Sequence, residues 1–201
     1  MSSPNASTSF DRPGDETLDE LAGGSTQDAA VLAFEFTVPD GTSEIGFNYV
    51  FGSEEYNEFV GREFNDVFGF FLGGENVATV PDPDDPDATL PAAINTVNSG
   101  RPGVSPTNPG RFVNNDPFTP DASGETVPEA ELRATEMDGF TVVLEVRAPV
   151  SAGEQNTIRL GVADTGDTAL DTWVLVEAAS FETDPDPGPS PPPDPDPGPS
   201  C

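Results

Sequence analysis

Two runs near the start of the chain alternate with a period of two. In VLAFEFTV (31–38), Leu32, Phe34, Phe36 and Val38 fall on one side, and Val31, Ala33, Glu35 and Thr37 on the other. In EIGFNYVF (44–51), Ile45, Phe47, Tyr49 and Phe51 share one side. An extended chain turns successive side chains to opposite faces, whereas a helix would scatter these residues around its axis. PDGTS between the runs supplies turn residues, so the two read as adjacent antiparallel strands. DVFGFFLGG is apolar on both sides, as a central strand should be. GFTVVLEVRAPV directs Phe140, Val142, Leu144 and Val146 inward, and NTIRLGVAD directs Ile158, Leu160 and Val162 inward. DTWVLVEAASF sets Trp173 and Leu175 on one face, and VSAGEQN reads as a hairpin loop. These runs predict an all-β fold: an antiparallel two-sheet β-sandwich, jelly-roll-like, with long loops.

Proline and glycine punctuate the rest. VPDPDDPDATLP cannot lie inside a sheet, because its prolines lack amide donors. From Ile94 to Thr126 runs a long stretch rich in Asn, Pro and Gly, of the kind that carries function or stays disordered. Residues 1–24 are rich in Ser, Thr, Gly and Asp and predict a flexible segment, with DETLDELAGG as one helical turn. Asn5 opens a glycosylation acceptor pattern, a short match that often arises by chance. DPDPGPS occurs at 184–190 and again at 194–200, so 183–201 reads as an extended Pro/Asp-rich linker. The expected organisation is a flexible segment at 1–24, a β-sandwich at 25–182 and the linker at 183–201. A lone cysteine closing that linker, Cys201, suggests a piece of something longer. MSSPNASTSF is no signal peptide, and no run is apolar enough to cross a bilayer.

Charge narrows the chemistry. The 37 carboxylates face seven cationic residues, all arginine, for a net charge of -30. Such a surface repels nucleic acid and anionic membranes and attracts divalent cations. It also resembles the acidic surface of proteins from high-salt organisms, where screening weakens the self-repulsion. Histidine is absent, which excludes Ser-His-Asp and Cys-His relays. With Cys201 as the sole thiol, the usual His/Cys zinc sites are excluded too. Oxygen ligands remain, and these suit calcium.

Two acid clusters stand at strand ends. FGSEEYNEFVGREFNDVFGFF offers Glu54, Glu55, Asn57 and Asp66 among six phenylalanines, and ADTGDTALD offers Asp164 and Asp167. Loops gather at the ends of a sandwich, so distant loops can meet there. Glu54, Glu55, Asn57, Asp66, Asp164 and Asp167 are therefore the candidate metal ligands, with calcium as the expected ion. Their spacing matches no EF-hand, and solvated loop acids are the competing reading. Glu58 and Glu63 are read as solvated, Asn65 as a turn former and Asp171 as a cap at the start of a strand. Ser53 is placed to cap a short helix carrying Glu54 and Glu55 in its first turn. A catalytic alternative pairs Glu54 or Glu55 with Asp66 for glycoside hydrolysis. It is not favoured, because the phenylalanines alternate as core residues do. Trp173 also reads as core, and Tyr56 as the better exposed sugar platform.

Taken in order, DAAVLAFEFTVP, FNYVFGSEEYNEFV, FNDVFGFFL, INTVN, DGFTVVLEV and LGVADTGDTALDTWVLVEAASF resemble the choice-of-anchor L domain over about residues 16–182. The resemblance implies a β-rich module of a secreted or cell-surface bacterial or archaeal protein, with no enzymatic activity, whose anchor varies from protein to protein. Glu54, Glu55, Asp66, Asp164 and Asp167 fall within the matching motifs, which strengthens the cation reading. Family members also carry an upstream segment that adds a strand. Either this fold lacks an edge strand, or the start of the sequence is misassigned or engineered. The expected function is a non-catalytic extracellular module for adhesion or surface structure, stabilised by calcium. Its partner would be a polysaccharide or another copy of itself. The alternatives are a carbohydrate-active module, binding or hydrolysing, and a structural subunit of a surface filament.

Overall fold

The computed structural model describes residues 7–178 and 182–185. Among these run α1 (Glu16–Ala22) and the strands β1 (Thr26–Thr37), β2 (Thr42–Ser53), β3 (Val67–Leu72), β4 (Glu75–Asn76), β5 (Thr79–Pro81), β6 (Thr89–Pro91), β7 (Phe112–Asn114), β8 (Gly139–Thr141), β9 (Leu144–Pro149), β10 (Gln155–Thr165), β11 (Thr172–Val176) and β12 (Glu182–Pro185). One sheet has the order β1-β10-β3-β4, and the other β11-β2-β8-β7, with β9 and β12 also on β2. All these pairings are antiparallel. The two sheets close on one core. Phe47 meets Phe70 with ring centroids 4.2 Å apart, and Tyr49 meets Phe68 at 5.0 Å. Ile45, Phe51, Val146 and Ile158 fill the space around them. The all-β sandwich expected from the alternation is the fold observed.

Pairing differs from expectation. β1 does not pair with β2. It pairs with β10, with Leu32 opposite Leu160, and lies in the other sheet. The PDGT turn carries the chain across the sandwich rather than folding it back in one plane; turn residues signal a reversal, not the identity of the neighbour. The run expected as one strand from Phe140 to Val150 breaks into β8 and β9, leaving Val142 and Val143 exposed. Leu175 is exposed as well, and Trp173 is only partly buried. The proline-rich stretch forms β5 and β6, a hairpin outside both main sheets, as missing amide donors require. Within the long Asn/Pro/Gly stretch, β7 pairs with β8.

Within the segment expected to be flexible, the described residues from 7 onward contain α1. Asp15 caps α1, accepting from the amides of Thr17 and Leu18, and Gly23 closes it in the left-handed region. Buried Leu18 sits over Gly161 of β10 and Leu21 over Gly69 of β3, which are register partners. A Cβ on Gly161 would stand 3.0 Å from Leu18, so the leucine would have to shift to admit any larger residue there. The helical turn expected in DETLDELAGG is this helix. At the other end, β12 pairs with β2 and runs to Pro185, past the boundary expected at 182. The rest of the linker, Cys201 and Asn5 lie outside the described residues.

Candidate metal centre at one end of the sandwich

Three connections meet where β2 ends. Ser53 faces Thr172 of β11 and Gly139 of β8, so the 54–66 segment, the 166–171 segment and the residues before β8 share one end. No helix follows Ser53. Its hydroxyl accepts from the Glu55 amide at 3.0 Å, and the chain continues in turns. The Tyr56–Asn57 peptide is cis. Tyr56, expected to be exposed, is fully buried. Its hydroxyl donates to the Val97 carbonyl at 2.8 Å, and its ring packs 4.6 Å from Phe112. The sugar-platform reading of Tyr56 therefore ends here.

The charges of Asp66, Asp164 and Asp167 reach Glu55, but no three of these four carboxylates bring one oxygen each within 4.8 Å of one another. Asp66 is 1% exposed and joins the strands around it. One of its oxygens accepts from the Thr165 amide at 3.0 Å, and the other from the Thr172 hydroxyl. Burial pushes its carboxyl up to about 6 in spite of those bonds. Glu55 is 2% exposed, and its Oε2 has no hydrogen-bond partner. Burial, then the charges of Asp66, Asp167, Glu58 and Asp164, push it up to about 9. Asp164 rises to about 8 by burial and by Asp66, Asp28, Asp171 and Asp167. Asp167 is exposed, and its Oδ1 accepts from the Ala169 amide at 2.9 Å in the turn after Gly166.

Glu54 and Asn57 belong to a different group. Asn57 donates through Nδ2 to Asn114 Oδ1 at 3.0 Å and to the Thr119 carbonyl at 3.2 Å. Asp138, just before β8, is pushed up to about 8 by burial, then by Asp116, Glu54 and Glu58. Among the described residues, Glu58, Asp116 and Asp138 are the acids that bring one oxygen each within 4.8 Å of one another. Glu58 is thus no solvated loop acid: it is half-buried, its Oε2 lacks a hydrogen-bond partner, and burial raises its carboxyl. Glu63 is exposed, as expected. Sequence reasoning missed Asp116 and Asp138. The available signal was positional, since each flanks a short strand at this same end.

The six ligands expected from sequence therefore divide. The charges of three, Asp66, Asp164 and Asp167, reach the fourth, Glu55, while Glu54 and Asn57 face the Asp116–Asp138 side. Oxygen donors of this kind suit a hard cation, which would relieve the repulsion among carboxylates held out of water.

Residues 1–182 match the model of one protein family, described as the choice-of-anchor L domain. No curated protein and no solved structure matches the chain.

Proposed function

The chain belongs to the choice-of-anchor L domain family, and from that premise we propose that it is a non-catalytic extracellular module, serving adhesion or surface structure, whose acidic end is held together by calcium. Membership of the family makes it a module of a surface or secreted protein. Among the described residues, no helix is long and apolar enough to cross a membrane. Its partner in this reading is a surface polysaccharide or another copy of the chain. The surplus of carboxylates suits work in high salt, where screening weakens self-repulsion.

One observation carries the calcium reading. Glu55 is buried with an oxygen that accepts no hydrogen bond, and the charges reaching it are those of other carboxylates. A cation bound by Glu55, Asp66, Asp164 and Asp167 would turn that repulsion into attraction. Calcium titration followed by thermal melting tests it. An ion that binds only the folded state stabilises it by about 2.7 kcal/mol at a hundredfold excess over Kd. Asp66→Asn should shrink the shift, whereas Asp87→Asn in the β5–β6 hairpin should not. A parent whose melting is indifferent to calcium sinks the reading.

Carbohydrate binding is a second reading, and one feature favours it. Trp173, Phe10, Asp28, Asp164 and Asp171 line an open cleft of about 400 Å³. An aromatic face beside acceptor oxygens is a combination that sugars use. Loss of glycan retention on Trp173→Ala would support it, and retention by neither protein would remove it.

A further inference from the structure

We propose that Glu58, Asp116 and Asp138 form a second calcium site, separate from the Glu55 group and completed by the Asn57 amide oxygen. Its residues differ from those of the proposed Glu55 site, so either can stand if the other fails.

The first support is metric. Calcium holds its oxygens at about 2.3–2.6 Å, so two ligands on opposite sides of the ion are about 5 Å apart at most. Glu58, Asp116 and Asp138 satisfy that limit, each offering one oxygen within 4.8 Å of the others. Magnesium demands near-ideal octahedral geometry at about 2.0–2.1 Å and gives up its water reluctantly, so a set of protein oxygens such as this favours calcium.

The second support is a pair of buried oxygens with nothing to accept from. Asp116 is 1% exposed. Its Oδ1 accepts from the amides of Phe118 at 2.7 Å and Thr119 at 2.9 Å, while its Oδ2 has no partner. Asn57 is 0% exposed, and its Oδ1 also has no partner. The two are neighbours, because Asn57 Nδ2 and the Asp116 amide donate to the same Asn114 Oδ1, at 3.0 and 3.1 Å. An amide oxygen can only accept, so Asn57 Oδ1 needs either a donor or a cation facing it. A cation satisfies both kinds of oxygen at once.

The third support is that the ligands are held before any ion arrives. β7 and β8 pair Asn114 with Gly139, and the Asn115 amide donates to the Asp138 carbonyl at 2.8 Å. The Asn115 side chain donates to the Met137 carbonyl at 2.8 Å and accepts from the Arg133 amide at 2.7 Å. Asp116 and Asp138 therefore leave adjacent strands at fixed positions, and Asn57 ties the segment carrying Glu58 to them. Preorganised oxygens lose little conformational freedom on binding.

The test is calorimetric titration of the chelator-stripped chain with calcium chloride, with melting recorded in chelator and in calcium. Asp138→Asn should abolish one binding event or weaken it at least tenfold, and Asp66→Asn should leave that event intact. Melting should change sign with conditions. In chelator, Asp138→Asn melts at or above the parent, because one crowded charge is gone; in calcium it melts below. Glu58→Gln, at the half-buried rim, should behave alike and keeps the test open if Asp138→Asn fails to fold. Magnesium should bind this site at least tenfold more weakly than calcium. Unchanged calcium binding in both variants overturns the proposal, and so does equal affinity for magnesium. Loss of all binding in Asp66→Asn overturns it too, since the sites would then not be separate. If Asp66→Asn changes nothing while Asp138→Asn loses its event, the Glu55 reading falls and this one stands.

Discussion

β1 and β2 are both twelve residues long, and both alternate, yet they end in opposite environments. β2 is flanked on both edges, by β11 and β12 on one and by β8 and β9 on the other. Its apolar side chains enter the core: Ile45, Phe47, Tyr49 and Phe51 are all buried. β1 is an edge strand paired with β10. Leu32 is 60% exposed and Phe34 41% exposed, and burial returns only at Phe36 and Val38. Beside β1 the sheets part, leaving a cleft of about 310 Å³ between Leu32, Leu160 and Val162 on one side and Val174 and Val176 on the other. Alternation therefore fixes the two faces of a strand, but its place in the sheet decides how much of a face is covered.

The largest expected effect tests that contrast directly. Phe47→Ala removes a ring seated 4.2 Å from Phe70 in the middle of the core. Truncations of this kind cost about 3–5 kcal/mol, through lost burial and the cavity left behind. Urea denaturation of the two proteins measures it. A loss below about 1 kcal/mol would mean that the centre of the sandwich lies elsewhere.

The same contrast explains what the sequence could and could not tell. Strands were legible because their period is local. Partners were not, since β1 and β2 carry the same pattern and the turn between them is silent about which strand lies alongside. The break at Val142 was illegible for a related reason: an unbroken apolar run looks identical whether or not its middle is covered. At the acidic end, the Glu54–Glu55 pair and Asp66 stood out because acids interrupt apolar residues there. Asp116 and Asp138 did not, because they lie 22 residues apart in a stretch dense in polar residues, and only the β7–β8 pairing brings them together.

A middling effect is expected where polar contacts stand in for a missing neighbour. Asp15 caps α1 and also pairs with Arg159 of β10, the strand on which β1 rests. Burial alone would raise its carboxyl, but Arg159 and the amides of Leu18 and Thr17 outweigh it, so the group lies below its ordinary range. A lowered value stabilises the fold fully above the unfolded pKa of about 4, and the gain is lost as pH falls through the folded value. Asp15→Asn keeps a good cap and removes only the charge. It should cost about 1 kcal/mol at pH 7 and progressively less as pH falls below about 4. Melting curves at several pH values follow the difference. A gap that stays constant into acid would show that the charge on Asp15 contributes nothing to holding β10 and, through it, β1.

The smallest effect falls on β1 itself. Phe34 touches Phe36, with ring centroids 6.2 Å apart, lies opposite Ile158, and keeps 41% of its surface in solvent. Phe34→Ser gives up that contact and some strand preference, together worth no more than about 1 kcal/mol. Urea denaturation should therefore barely separate the variant from its parent, in contrast with Phe47→Ala on a strand of equal length and pattern. Solubility should rise, because an exposed apolar edge strand is the kind of surface that pairs with other chains. A loss near 3 kcal/mol would mean instead that Phe34 is covered in solution. The difference between β1 and β2 would then be one of partner rather than of position in the sheet.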